Sequence, residues 1–218
     1  MRASEVQSHS KSRHCFLIEK YILNFFKGSP ILRQIALPIE IETNEEIRGI
    51  SKQKIITLKD ADFLLNLGSH LIKLMKAHDS YTITASQVGV NARMMVVTTG
   101  LINADANNSS PAMGFIDDDS RQRIFINPIV QPIRGCEKQL HLESSSSVPN
   151  LMGVVERYDK ISLSAYELTM DPSRLYKGVY KLEKVHETLK YHDSYMTQHC
   201  ADMLDGILFI DKIKELFK

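Results

Sequence analysis

The order in which the predicted helices and strands follow one another most constrains the fold of this chain. A helical apolar face runs from a capping-box-like start at Thr57 and Asp60 to Ala77. A second helix is predicted over residues 185–204, ended by Gly206. Short β-type apolar runs are found at residues 94–97, 124–126, 161–166, 175–182 and 207–210. Because helices and strands do not alternate regularly, the pattern predicts an α+β fold rather than a doubly wound sheet.

Length and composition are those of an ordinary globular protein. The 218 residues suggest one domain, or one domain with an arm, and 43% apolar with 24% charged residues is typical of a soluble fold. The formal charge of +1 gives no electrostatic reason to expect a nucleic-acid partner. No membrane span is predicted, because Glu19 and Lys20 interrupt the best apolar candidate. Three cysteines, Cys15, Cys136 and Cys200, indicate thiols in a reducing, cytoplasmic compartment.

Residues 1–28 are predicted to form an N-terminal amphipathic helical arm ahead of a domain at 29–218. Apolar residues recur there at near-helical spacing, at Leu17, Ile18, Tyr21, Ile22, Phe25 and Phe26. We expect the arm to dock on the domain, and an organelle-targeting role stays open as the alternative. Residues 100–120 are rich in Asn, Asp, Ser, Gly and Pro, which predicts a long surface loop.

The predicted second helix carries an incomplete metal-binding pattern. Positions 199 and 203 lie one helical turn apart, the spacing at which the two histidines of an HExxH helix bind zinc. The first position holds His199, but the second holds Met203, and Cys200 stands where such a helix has its general-base glutamate. From these residues alone, a single helical histidine is more often structural than a metal ligand.

The residues around His199 nevertheless resemble a motif of a known enzyme family. The stretch QHCADMLDGILFIDKI, residues 198–213, is similar to the QHExDHLxGxLFxDxx motif of the peptide deformylases, with two residues replaced. Further segments in the family's order are LRQIALP at 32–38, SYTITASQVG at 80–89, IFINP at 124–128, and ESSSSVP at 143–149 followed by Arg157. The resemblance covers about residues 29–213, and it implies antiparallel strands around the motif-bearing helix.

The resemblance also implies a chemistry, removal of the formyl group from initiator methionine by a divalent metal bound to one cysteine and two histidines. The three ligand positions correspond here to Ser145, His199 and Met203, and the catalytic glutamate corresponds to Cys200. A protonated hydroxyl and a neutral thioether are poor ligands for iron, zinc or nickel in hydrolytic sites. A cysteine has neither the reach nor the acidity of a glutamate for proton transfer. We therefore expect no cofactor.

Other parts of the family's cleft are kept or altered. The resemblance implies that the Gln87 amide, with the backbone N–H of Ser146, holds the formyl oxygen. The alternative role for Gln87, equally weighted, is that of a buried amide bonded to a neighbouring loop. Replacements that narrow the cleft or make its floor too polar for a methionine side chain are Ser80, Thr82, Thr84 and the serines at 144–147.

These observations predict a catalytically inactive deformylase-like protein, a pseudoenzyme that binds a peptide or a partner protein. Its binding positions would include Gln87, Ser145, Ser146 and His199. One alternative is an active deformylase of nascent N-formylmethionyl peptides, with iron, zinc or nickel bound by displaced ligands. Those ligands would be His199 with His192 or Asp202.

Two further interpretations are open. The domain could act without a ligand, as a scaffold or oligomer subunit, through its arm and the 100–120 loop. Cys200 could act as a nucleophile with His199, His192 or His186 as base. This second interpretation is disfavoured, because adjacent residues on a helix point about 100° apart and a buried free cysteine commonly acts as a small hydrophobe.

Overall fold

The computed structural model of the protein describes residues 29–48, 51–58, 60–100, 121–170 and 180–217. In these ranges there are two α-helices, α1 at Ala61–Ala77 and α2 at Tyr191–Leu204. The strands there are β1 at Ile41–Arg48, β2 at Ser51–Leu58, β3 at Thr82–Thr84, β4 at Met94–Thr98, β5 at Gln122–Pro132, β6 at Lys138–Ser145, β7 at Val148–Tyr158, β8 at Lys160–Met170, β9 at Tyr180–Lys190 and β10 at Ile213–Phe217. Short 3-10 helices lie at Pro30–Arg33, Ala85–Val88 and Phe209–Asp211.

The described strands form three sheets in which every neighbouring pair is antiparallel. The largest sheet has the order β3-β4-β5-β8-β9, and a smaller sheet has the order β10-β7-β6. The third is the hairpin of β1 and β2. Antiparallel sheets combined with helices confirm the predicted α+β class.

Helix α2 is the element around which the two main sheets are arranged. It contacts all five strands of the larger sheet and β7 of the smaller one. Cys200 and Leu204 of α2 belong to one apolar cluster with Met95, Phe125 and Leu163 of the larger sheet. The prediction of antiparallel strands around a motif-bearing helix is therefore confirmed.

Helix α1 confirms the first predicted helix except at its start. Leu64, Leu71 and Met75 are buried on the face that the apolar spacing indicated. The predicted capping box is wrong, because Thr57 lies in β2 and Asp60 makes no side-chain cap hydrogen bond. Asp60 instead adopts a left-handed conformation, with φ of 57°, directly before the first residue of the helix.

The second predicted helix starts six residues too early. Residues 185–190 belong to β9, where Val185 pairs with Ala165 and Leu189 with Ile161 of β8. Lys190 is still extended, with φ of −132° and ψ of 155°, and the helix begins at Tyr191. Pairing with β8 satisfies the backbone groups of residues 185–190, so tertiary context overrides the local helical pattern.

The strand predicted at 207–210 is also wrong. The chain forms the 3-10 helix Phe209–Asp211 instead, and the Asp211 carboxylate accepts a hydrogen bond of 2.8 Å from the Leu208 N–H. This local side-chain hydrogen bond gives the backbone an alternative to a strand ladder. The predicted strands at 94–97, 124–126 and 161–166 are confirmed within β4, β5 and β8, as are residues 180–182 within β9.

The other predicted segments lie outside the described residues. These are the arm at 1–28, the loop at 101–120 and residues 175–179. Within the described ranges, neither helix offers an apolar stretch long enough for a bilayer crossing.

Gly206 follows the C-terminal end of helix α2 and packs closely against the backbone of Arg33. It has a φ of +75°, and the N–H of Ile207 bonds back to the Asp202 carbonyl at 2.9 Å. A Cβ atom at Gly206 would lie 2.7 Å from the carbonyl oxygen of Arg33. Glycine is therefore required here both for its backbone conformation and for the close approach of another segment.

We predict that Gly206→Ala lowers the free energy of unfolding more than Gly135→Ala does. Gly135 has a similar φ of +80°, but a Cβ there would meet no atom of the described residues within 4 Å. The control variant therefore carries left-handed strain of about 1–2 kcal/mol, whereas Gly206→Ala adds about 1–3 kcal/mol of steric displacement. Urea denaturation of both variants measures the difference, and equal losses would contradict the close packing at Arg33.

Candidate functional site

A buried ionic network lies at the centre of the site, between β6, β7 and α2. Arg157, only 2% exposed, donates two hydrogen bonds to Glu143, of 2.6 and 2.9 Å, and a third to Asp202. Burial alone would raise the pKa of Glu143, but hydrogen bonds from Arg157 and His199 outweigh it and lower that pKa to about 2. Glu143 is therefore a carboxylate at neutral pH, paired with a buried guanidinium.

His199 projects from α2 onto the same carboxylate. Its Nδ1 lies 2.9 Å from Oε2 of Glu143, and its ring packs near Phe209 with the centroids 6.5 Å apart. An ionised carboxylate only accepts hydrogen bonds, so Nδ1 is the donor and carries a proton. In the neutral ring, the Nε2 atom then holds the lone pair that could bind a ligand.

Met203, one turn further along α2, belongs to the hydrophobic core. It is 1% exposed and forms an apolar cluster with Leu32 and Leu208. Burial of this kind is the ordinary environment of a methionine, which fills irregular gaps between apolar side chains.

Cys200 is fully buried in the apolar cluster between α2 and the larger sheet. Burial raises the pKa of its thiol to about 12, so the thiolate is not formed at neutral pH. His186, one of its suggested bases, lies on β9 and bonds to Ser164 at 2.7 Å. The geometry therefore favours the interpretation of Cys200 as a small core residue over that of a nucleophile.

Gln87 is bonded to the serine loop that follows β6. Its Oε1 atom accepts hydrogen bonds from the backbone and side chain of Thr84, at 2.9 and 3.3 Å. Its Nε2 atom donates to the hydroxyls of Ser146 and Ser147, at 3.4 and 3.2 Å. Ser145 Oγ in turn accepts a bond of 3.3 Å from the Ser147 N–H. The structure thus brings Gln87 to Ser146 and Ser147, and Ser145 joins this group through Ser147.

Of the displaced ligands of the active alternative, Asp202 is held in the ionic network and His192 packs against other rings. Asp202 accepts hydrogen bonds from Arg157 and, at 2.7 Å, from Lys212. His192 lies two helical turns before His199, and its ring packs against Tyr81 with the centroids 5.6 Å apart. Across the described ranges, no three His, Cys, Asp or Glu side chains are grouped closely enough to bind one metal ion.

Sequence reasoning missed a cluster of histidine and tyrosine rings beside this network. His141 packs between His192 and Tyr195, with ring centroids at 6.0 and 4.8 Å. Burial lowers the pKa of His141 to about 4 and also lowers the pKa of His192. The His192 Nε2 atom is buried and finds no hydrogen-bond partner among the described residues. One signal was available, because His141 stands two residues before Glu143 and so shares its face of a strand.

We predict that His141 makes the fold less stable as the pH falls from about 6.5 to about 4. Its pKa is about 6.5 in the unfolded chain and about 4 in the fold, so the unfolded chain binds more protons in this interval. Glu143, His192, Arg157 and His199 are the charged or titratable groups that act on it. His141→Gln should reduce the loss of unfolding free energy between pH 7 and 4.5 by about 2 kcal/mol.

Denaturant titrations at the two pH values measure this difference. The matched control is His186→Gln, which removes a histidine outside the ring cluster. The same reduction in both variants would contradict a specific role for the buried ring.

Comparisons with known proteins show which family this chain is similar to. A family model described as polypeptide deformylase matches residues 25–218. The peptide deformylase of Fusobacterium nucleatum is 28% identical over 204 residues, which cover 93% of this chain and 86% of the relative. Peptide deformylase 2 of Bordetella bronchiseptica is 25% identical over 191 residues, covering 88% and 86%.

Solved structures show the same fold. The peptide deformylase of Thermotoga maritima superposes with a TM-score of 0.57 at 23% identity, covering 86% of this chain and 93% of the other. The Met-Ala-Ser-bound class I type b enzyme of Acinetobacter baumannii gives 0.60 at 22% identity, covering 85% and 94%. Since the family model matches nearly nine-tenths of the sequence and these folds agree, the chain belongs to the peptide deformylase family.

Proposed function

We propose that this chain is a catalytically inactive member of the family that binds an extended polypeptide in its cleft. The observation that carries the proposal is the burial of Cys200 and Met203. Two of the positions that would supply chemistry in the family are here occupied by side chains that pack in apolar clusters. Both side chains stabilise the fold where they stand.

The donor set does not fit the divalent metal that the family normally uses. Only His199 presents an imidazole among the three corresponding positions, and Glu143 orients it. Met203 offers a thioether within the core, and Ser145 offers a hydroxyl that stays protonated. Iron, zinc and nickel in hydrolytic sites prefer imidazole, carboxylate or thiolate. We therefore derive no hydrolytic step through a metal for this chain.

The replacement of the family's catalytic glutamate by Cys200 impairs proton transfer independently of metal binding. A general base typically contributes about 100- to 10,000-fold to a rate. It must lie within hydrogen-bond reach of the reacting group, and its pKa must be near the working pH. The Cys200 thiol has a pKa raised to about 12 by burial and is 0% exposed. The active alternative would need another base as well as another ligand set.

Strands β3 and β6 each lie at the edge of a sheet, where an extended polypeptide could pair with them. Directly before β3, the Tyr81 carbonyl faces β4 and accepts the Thr98 N–H, so the peptide groups of Thr82 face the other way. The Thr82 carbonyl accepts a hydrogen bond of 2.7 Å from the Ser80 hydroxyl, and the Thr84 N–H is bonded to Gln87. The outward Thr82 carbonyl and Thr84 N–H of β3 are thus already bonded within the chain.

Strand β6 offers the other edge. Among the described strands it pairs with β7 alone, and the Asp159 N–H bonds to the Glu137 carbonyl at the start of the ladder. By antiparallel alternation, the peptide groups of Lys138, Leu140 and Leu142 then point away from β7. Leu140 is 68% exposed. Such an edge favours addition of an extended segment as a further strand.

The related structure bound to Met-Ala-Ser supplies a probe. We predict that Met-Ala-Ser binds the β6 edge through its backbone, without burying its methionine side chain in the polar cleft, and shifts the backbone amide resonances of Leu140 and Leu142. Leu140→Pro removes the outward N–H and leaves the ladder to β7 intact, because proline is tolerated on an edge that faces solvent. We expect at least a tenfold weaker affinity, about 1.4 kcal/mol, the scale of one lost hydrogen bond.

Leu140→Ala is the matched control, since it removes the side chain and keeps the N–H. NMR titration of the three proteins gives the dissociation constants. Equal affinity of the proline variant and the original chain would contradict binding at the β6 edge, and absence of binding to all three would contradict a peptide-binding cleft.

A further inference from the structure

A groove of about 320 Å³ lies on the surface where the described domain begins. Its walls are mainly apolar and include Leu32, Val148, Pro149, Leu208 and Ile210, with Ser29 and the charged Arg33 beside them. Ser29 is the first described residue, so the preceding chain enters the domain at the wall of the groove. An apolar segment that covers such walls removes apolar surface from water, which stabilises the protein.

The sequence immediately before Ser29 carries a matching apolar stripe. Residues 17–26 place six apolar side chains at near-helical spacing, and the stripe ends with Phe25 and Phe26. Pro30 disfavours a helical conformation at Ser29, so a helix over these residues would end close to the groove.

Reach and volume favour this segment as the occupant. Phe25 is four residues from Ser29, and at roughly 3.5 Å per extended residue its backbone lies within about 14 Å of it. An apolar cavity of about 150 Å³ accepts one benzene ring, so the groove has room for one or two aromatic side chains. A short tether gives an effective concentration in the millimolar range, which a second copy or a free partner rarely reaches.

We propose that the apolar face of residues 17–26 binds this groove, with Phe25 and Phe26 as its anchors. The arm then binds the domain within the same chain, next to Val148 and Pro149 at the start of β7. The proposal depends on the groove and on the tether, and it holds whether or not the cleft binds a peptide.

A single tryptophan reports on this contact without background, because the chain contains none. In the full chain with Phe25→Trp, we expect blue-shifted emission and an acrylamide quenching constant several-fold lower than in a free peptide of residues 14–28 carrying the same tryptophan. Adding Ile210→Asp, which places a charge in the groove, should return both values to those of the peptide. Pro149→Asp is a second groove variant in case Ile210→Asp does not fold, as judged by circular dichroism.

The matched control is Ile35→Asp, since Ile35 is 70% exposed and does not line the groove. It should leave the tryptophan shielded. The proposal is overturned if the introduced tryptophan is as accessible in the full chain as in the peptide, or if its shielding survives the groove variants. Loss of shielding on dilution would also overturn it, because a second copy would then be the occupant.

Discussion

The buried guanidinium of Arg157 connects the elements that line the cleft. Strand β6 contributes Glu143, β7 contributes Arg157, and α2 contributes Asp202 together with His199, which bonds to Glu143. Removing one partner of such a buried pair typically costs about 3–5 kcal/mol, because the remaining charge is left uncompensated. The position of α2 against the smaller sheet, and the orientation of the His199 ring, therefore depend on this network.

The network joins the elements around the cleft without using the changed positions Ser145, Cys200 and Met203. The positions changed from the family's pattern hold neutral side chains, and Cys200 and Met203 add to the apolar packing on two sides of α2. The serine loop is held by Gln87, and the cluster of His141, His192 and Tyr195 packs beside Glu143. All of these interactions are made by the chain's own side chains, which agrees with the proposed binding role.

The sequence predicted the fold class, helix α1 and the part of the central helix from Tyr191 onward, because these rest on motifs and on periodic apolar residues. It failed where long-range pairing decides the structure. Residues 185–190 have no local property that distinguishes strand from helix until β8 pairs with them. The hairpin of β6 and β7 was missed because Leu140 and Leu142 are exposed, so the buried face of β6 carries polar residues such as Glu143 and Ser145. In the site, sequence identified the individual positions but not their partners, since hydrogen bonds such as that from Gln87 to Ser147 join residues far apart in the chain.

Metal content measured together with formate release from a formyl-methionyl peptide tests the central claim most directly. The purified full chain, incubated with iron, nickel or zinc and then desalted, should retain less than one equivalent and release no formate above the buffer rate. The triple variant Ser145→Cys, Cys200→Glu, Met203→His, folded by circular dichroism, should retain metal under the same treatment. One equivalent of metal on the unmodified chain, with measurable turnover, would contradict the account.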